Sequence, residues 1–377
     1  MLLSLKSHQR FSERIRLGTL DTYKAIEFSR HPAGTILGML LADQGATVIK
    51  IEPLCGDPLR GTTEFAVWNR GKDSVISDFT QQSVQELVKG ADIVIDCLDP
   101  GEAENLNITF SDLSGNNPGI VVVSLPAFAK GHKYEHLPAR EALIASSTGV
   151  YASSPSGEKP IPGEGPSFHG LYYASAFAAM TASAAVTAAL IQRTMTTRGQ
   201  QVTVPVHDSM YQGMGTALVR HSDRAHGRQE GHPVIARFYK CSDNRWVNVN
   251  LAMPRFLEPF LRAVGRPEWM EALNNINSFS SDAELASAWR ERFAAIWTER
   301  AAEDWETFMA DIGVPVTMCR TTDEWMNEPH AAESEAVIEV TDPTFGTMRQ
   351  PGLLVRTLGN PGRVAGPAQR SSATSNS

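Results

Sequence analysis

Cysteine is scarce. The 377 residues hold four, Cys55, Cys97, Cys241 and Cys319, far apart, with no Cys-x-x-Cys pair and no histidine spacing suited to zinc. This excludes a disulfide scaffold and a zinc ribbon, and sets the expectation of a reduced, cytoplasmic setting with no metal. Positive charge is the minority sign: 34 basic against 42 acidic side chains give a net charge of −8. A nucleic-acid-binding face needs the opposite balance, so no nucleic-acid partner is expected. Long hydrophobic runs are also rare. The apolar run within Met1–Arg10 is too short for the core of a signal peptide. The uncharged stretch of membrane length is Leu171–Gln192, and nine of its residues are alanine. Alanine is only weakly hydrophobic, so a buried helix is expected there and no membrane association.

Local chemical motifs are missing as well. The chain has no Gly-x-Gly-x-x-Gly, no Walker-type phosphate loop, no Gly-x-Ser-x-Gly and no His-Glu-x-x-His. A β-α-β pattern without the glycine fingerprint speaks against a nicotinamide cofactor.

What is present is an alternation of strand and helix signals. Tyr23–Phe28 alternates as a strand, Pro32 can open a helix, Thr35–Gln44 carries Leu37, Leu40 and Leu41 on one face, and Gly45 suits a left-handed cap. Ala46–Ile51, Ser74–Ser77, Asp92–Asp96 and Ile120–Leu125 read as further strands, with helices at Gln81–Lys89 and near Glu102–Asn107. Strands alternating with helices predict a mostly parallel sheet covered on both faces. A loop rich in Pro, Gly and Ser spans Ser153–Gly170, and the long helix follows. Polarity rises over His221–His232, as at a domain boundary. Arg237–Val249 reads as a hairpin around Ser-Asp-Asn, and helices follow at Pro254–Val264, Asp282–Trp297 and Ala302–Ile312. Residues 361–377 have the composition of a disordered tail.

Candidate functional residues are individually weak signals. The turn Ser29–Gly34 can hold an anion at a helix N-terminus, with Arg30 and His31 assisting, or be a plain solvated turn. Asn69-Arg-Gly-Lys72 sets two cations around a glycine between an expected loop and a strand, which suits phosphates. Glu141, Glu164 and His169 are titratable groups around the long loop. His207 and Asp208 adjoin in sequence, which does not make a dyad without a fold.

Taken together the segments resemble the family III CoA-transferases, the CaiB/BaiF family, over roughly Leu17 to Pro351. The resemblance is carried by "SRHPAGTILGMLLADQGATVIKIEPLCGDPLR" at Ser29–Arg60, "NRGKDSV" at Asn69–Val75, "RTMTTRGQQVTVPVHDSM" at Arg193–Met210 and "GVPVTMCRTTDEWMNEP" at Gly313–Pro329. It implies an α/β fold: a Rossmann-like large domain with a parallel sheet and a smaller inserted α+β domain, in an interlocked dimer. The implied boundaries are 1–226 for the first part of the large domain, 227–322 for the small domain, 323–360 for the return to the large domain, and 361–377 for the tail. The implied ligand is coenzyme A or its acyl thioester, used as substrate. By position, Ala33, Trp68, Asn69, Gly71, Lys72 and Arg140 match CoA-contacting residues, and Arg140 and Glu141 flank the catalytic pocket.

The departures are equally specific. A family cation near Asp96–Gly101 is replaced by Asp99, and a later family arginine falls near Asn105. Counting back from Arg198-Gly-Gln200 places the family's catalytic aspartate on Ser175. In the family that aspartate attacks the acyl-CoA thioester, giving a mixed anhydride and then an aspartyl-CoA thioester that the acceptor acid takes over. A serine ester is not activated in that way, and no base stands beside Ser175 in the sequence. The related racemases use a His/Asp pair at the positions of Arg140 and Ser175, which disfavours that chemistry here. Three readings follow. The preferred one is a CoA-transferase that moves CoA from an acyl-CoA to a carboxylic acid, with this chain as the aspartate-lacking subunit beside an aspartate-bearing paralogue. The alternatives are a self-sufficient CoA-dependent transferase, lyase or isomerase using Glu141, Glu164 or His169, and a non-catalytic CoA-binding protein.

Overall fold

The structure is a computed structural model that describes residues 18–151, 168, 170–215 and 232–370. The chain divides into two compact units. The described part of the first comprises residues 18–151, 168, 170–215 and 329–370, and that of the second residues 232–328.

The first unit is built on six main strands: β1 (Lys24–Ser29), β2 (Thr47–Pro53), β3 (Asp73–Ser77), β4 (Ile93–Cys97), β5 (Val121–Ser124) and β6 (Gln201–Thr203). A two-residue strand, Gln369–Arg370, joins the outer edge of β3. The order is Gln369–Arg370, β3, β2, β1, β4, β5, β6, and every pairing is parallel. The α/β fold with a parallel sheet read from the sequence is therefore present. The valine and isoleucine runs explain it: alternate residues feed opposite faces. Ala25, Ile93, Ile95, Val121 and Val123 point into one core, and Ile26, Val94 and Val122 into the other.

The helices that concern function are α1 (Pro32–Asp43), α2 (Thr63–Trp68), α3 (Gln81–Val88), α4 (Glu141–Thr148), α5 (Tyr173–Thr196) and α6 (Val206–Gly213). Helix α5 is long and apolar enough to cross a membrane. Its stripe of Ala174, Ala178, Ala179, Ala182, Val186 and Ala189 is nevertheless buried in the unit's own core, against α1. Small side chains at that spacing let the two helices approach closely. An antiparallel hairpin, Val337–Asp342 with Gly346–Pro351, escaped the sequence reading. So did α2.

Two features correct expectations. The stretch from 361 onward is ordered as far as it is described: Arg363 N–H bonds Asp43 O, Gly366 O accepts from Gly71 N–H, and residues 369–370 pair with β3. The cations of Asn69–Lys72, expected beside a loop, face inward into ion pairs. Arg70 pairs with Asp43 at 2.6 Å and also donates to Gln350 and to the carbonyls of Pro351 and Gly352. Lys72 bonds Glu27 at 2.7 Å, Thr35 O at 2.7 Å and Asn69 Oδ1 at 3.1 Å. Lys50 completes the cluster, 3.0 Å from both Glu27 and Asp57. Glu27, Lys50 and Lys72 are all buried. The physical reason is pairing: a buried ammonium is tolerated only where carboxylates and carbonyls satisfy it.

Gly38 in α1 lies over this cluster. A Cβ there would stand 2.1 Å from Glu27 Oε2 and 3.0 Å from Lys72 Nζ. Gly38→Ala is therefore expected to destabilise the protein by about 1–3 kcal/mol, although alanine is the better helix former. Urea unfolding measures this, and an unchanged or raised midpoint would refute it.

The second unit holds a three-stranded antiparallel sheet, Ala236–Lys240, Trp246–Asn250 and Val316–Met318 in that order. Its helices, among them Pro254–Ala263, Ala283–Trp297 and Ala302–Asp311, share an aromatic core of Trp297, Trp305, Phe260, Phe293 and Tyr239.

Candidate active site

In open parallel sheets, ligands bind beyond the carboxyl ends of the strands, where the strand order reverses. Here β2 and β3 lie on one side of β1 while β4, β5 and β6 lie on the other, so the reversal falls between β1 and β4. The pairing of these two strands extends one residue further through Arg30 N–H to Cys97 O. The chain then enters α1. His31 is the N-cap, and its Nδ1 accepts from Ala33 N–H at 3.3 Å. Gly34 permits the close approach: a Cβ would meet Ser29 Oγ at 2.4 Å and Cys97 Cβ at 2.5 Å.

Neither basic residue of this turn brings free charge to the helix N-terminus, contrary to the expectation for Arg30 and His31. Arg30 is turned to Glu102 at 3.0 Å, over the Phe79 ring. His31 is buried, and burial first, then the charge of Arg140, pushes its pKa down to about 4. Its imidazole is neutral at pH 7. Ala33 is fully buried, with its N–H tied to His31.

Arg140 precedes α4 and is 59% exposed, 3.9 Å from Asp99. Glu141 opens α4 and reaches the start of α5. Its Oε1 accepts from Ala174 N–H at 2.7 Å, and its Oε2 accepts from Ser175 N–H at 3.0 Å and Ser175 Oγ–H at 2.5 Å. The N-cap residue of α5, Tyr172, makes no side-chain cap, so Glu141 caps the helix from outside. A carboxylate there satisfies orphan N–H groups and meets the positive end of the helix dipole. The carboxylate partner that the sequence did not place beside Ser175 is delivered from another helix. Ser175 itself is fully buried, while Glu141 is partly exposed.

The charge of Glu141 acts on two tyrosines, Tyr172 and Tyr151. Trp68 packs edge-on against Tyr172 at 4.8 Å, which brings the CoA-contact candidate of α2 to the start of α5. Burial, then the carboxylates of Glu64 and Glu141, raise the Tyr172 pKa; burial, then Glu141, raise that of Tyr151. Both phenols therefore stay protonated at neutral pH. Sequence reasoning missed both tyrosines, since neither lies in a motif.

The structure brings Glu141 and Ser175 into contact and sets Trp68 against Tyr172 at the start of α5, while the charge of Arg140 acts on His31, which bonds Ala33 N–H. It places Asn69 and Lys72 in the internal cluster, with Gly71 between them bonded to the C-terminal stretch. Glu164 and His169 lie outside the described residues. His207 and Asp208 do form a contact, at 3.1 Å, within a separate group that includes Phe128, His132 and Tyr211.

Comparison with known proteins decides the family. The sequence profile of CoA-transferase family III matches residues 20–369. The chain belongs to CoA-transferase family III. Among its relatives is succinyl-CoA–D-citramalate CoA-transferase of Chloroflexus aurantiacus, 25% identical over 93% of this chain and 90% of that protein. The CoA-transferase/lyase DddD of Marinomonas is 26% identical over 88% of this chain, which spans only 45% of that protein's length. The alpha subunit of succinyl-CoA–L-malate CoA-transferase of Chloroflexus aurantiacus is 26% identical over 66% of this chain and 62% of that subunit. The same fold is seen in the crystal structure of Rv3272 of Mycobacterium tuberculosis, with a TM-score of 0.81 at 23% identity, covering 94% of this chain and 97% of that one.

Proposed function

We propose that this chain takes part in moving CoA from an acyl-CoA to a carboxylic acid acceptor, as the aspartate-lacking subunit of a heteromeric CoA-transferase. The observation that carries this reading is the state of Ser175. At the position read as the family's nucleophile stands a hydroxyl that is fully buried and hydrogen-bonded to Glu141. An alcohol ester would not conserve the energy of the thioester, so a carboxylate must come from elsewhere. The relative named as an alpha subunit supports a second chain as that source. The inserted smaller domain, the interlocked dimer and a cytoplasmic location belong to the same reading. So do CoA contacts at Ala33, Trp68, Asn69, Gly71, Lys72 and Arg140. Of these, Trp68 and the half-exposed Arg140 suit direct contact best.

A self-sufficient enzyme is the second reading, favoured by Glu141, whose partly exposed carboxylate sits at the N-terminus of α5. One experiment separates the readings. The chain is purified alone and co-expressed with an aspartate-bearing paralogue, turned over with succinyl-CoA and an acceptor acid, quenched with hydroxylamine and mapped by mass spectrometry. A hydroxamate on the partner's aspartate is the expected result. A hydroxamate on Glu141 of the lone chain would replace the heteromer with the second reading. Binding of CoA with no adduct on either chain would leave a CoA-binding protein.

A further inference from the structure

We propose that His31 is a catalytic hydrogen-bond donor: its buried, unpartnered Nε2–H at the mouth of α1 receives the carbonyl oxygen of the acyl thioester. This rests on the CoA-transferase reading and deepens it.

The tautomer follows from the hydrogen bond already made. A backbone N–H can only donate, so the nitrogen that accepts from Ala33, Nδ1, carries the lone pair. In a neutral imidazole the proton then sits on Nε2. Among the described residues nothing accepts from that N–H, although the residue is only 5% exposed. Buried donors without a partner are rare, and each calls for an explanation. A second unpaired group, Ser29 Oγ, lies two residues before it on the same turn.

The location supplies the explanation. His31 stands at the carboxyl end of β1, at the reversal of strand order, and its imidazole feels the charge of Arg140, the neighbour of Glu141. Capping α1 requires only Nδ1. The unused face of the ring is a neutral donor set at a helix N-terminus, which suits an oxygen that gains charge during reaction. When a carboxylate oxygen adds to the thioester carbon, the carbonyl π pair moves onto oxygen. Collapse restores the double bond and expels the CoA thiolate. The donor stabilises the intermediate oxyanion and keeps its proton throughout, so no further reactant is needed. Whichever chain supplies the carboxylate, the donor is the same.

The test has two arms. In the first, the 15N-labelled protein is titrated with succinyl-CoA, the donor in several relatives' names, with free CoA, which lacks the carbonyl, as control. Binding of each is measured by calorimetry, and the His31 signals are assigned with His31→Asn. The His31 Nε2–H proton is expected to move downfield with succinyl-CoA and not with CoA. In the second arm, His31→Asn is expected to keep the cap, with the melting temperature measured alongside. It is expected to lower kcat about 100-fold with KM changed less than about threefold, measured on whichever form turns over, single chain or complex. An unmoved His31 proton with succinyl-CoA bound, or an unchanged kcat in His31→Asn, overturns the donor role and leaves the CoA-transferase reading intact. Failure of every CoA compound to bind overturns both.

Discussion

Replacing Glu141 by alanine is expected to cost far more stability than replacing the serine it holds. Glu141→Ala removes the external cap of α5, leaving Ala174 and Ser175 N–H unsatisfied in the fold and the buried Ser175 hydroxyl without its acceptor. Hydrogen bonds to a charged group are the stronger class, so the loss should be about 2–4 kcal/mol. Ser175→Ala removes a single hydrogen bond and leaves the cap in place, at about 0.5–1.5 kcal/mol. Urea unfolding gives both values. Amide exchange at Ala174 to Ala176 should rise sharply in Glu141→Ala alone. Equal losses in the two variants would show that the carboxylate is not the cap of α5. The same geometry bears on Ser175→Asp, the direct probe of the proposed loss of the nucleophile at this position. It sets a second carboxylate against Glu141, so any gain in activity is expected together with lower stability at neutral pH.

The second large effect is expected beneath α1. Glu27→Gln leaves Lys72 without its carboxylate partner and Lys50 with Asp57 alone. Breaking a buried ion cluster in this way costs about 3–5 kcal/mol. Adding Lys72→Met, which removes the stranded ammonium, should recover part of the loss. The pH dependence has a definite sign. Burial by itself would raise the Glu27 carboxyl; the charges of Lys50 and Lys72 outweigh it and hold it below its ordinary 4.5. Its contribution is therefore present above that value and is lost as pH falls through the depressed one. Lys72 is pushed down from 10.5 to about 8, by burial first, with Glu27 opposing and Lys50 adding to the shift. For Lys50 burial likewise pushes down, but Glu27 and then Asp57 outweigh it and raise its pKa. Between about 8 and 10.5 the unfolded chain binds more protons at Lys72 than the folded one, so this group's contribution rises with pH. The gap between wild type and Glu27→Gln should be wide at pH 7 and narrower at pH 9.5. A gap independent of pH would exclude this coupling.

The central strands were legible because their residues alternate between two apolar cores, so a run such as Val121–Val123 has no competing solution. Helix α2 was not, since six residues carry too little periodicity to stand out. The hairpin Val337–Asp342 with Gly346–Pro351 was missed because most of its residues are polar or partly exposed, so no apolar alternation announces it. The final stretch looked disordered by composition, yet its backbone is tied to Asp43 and Gly71 by partners some 300 residues away in the chain. The cations of Asn69–Lys72 were visible as charges, but nothing local says that Asp43 and Glu27 wait for them inside the fold.

The sequence by itself determined the parallel α/β architecture and the family, because hydrophobic periodicity and short ordered motifs are local properties that survive without coordinates. It also determined that a serine stands at position 175, the residue on which the proposed function turns. Only the tertiary structure decided what surrounds that serine. Glu141 lies 34 residues earlier and meets Ser175 through the packing of two helices, and the unpartnered nitrogen of the buried His31 is known only from which of its nitrogens accepts from Ala33. Hydrogen-bond partnership and burial are relations between distant residues, set by how the elements pack, and no pattern along the chain encodes them.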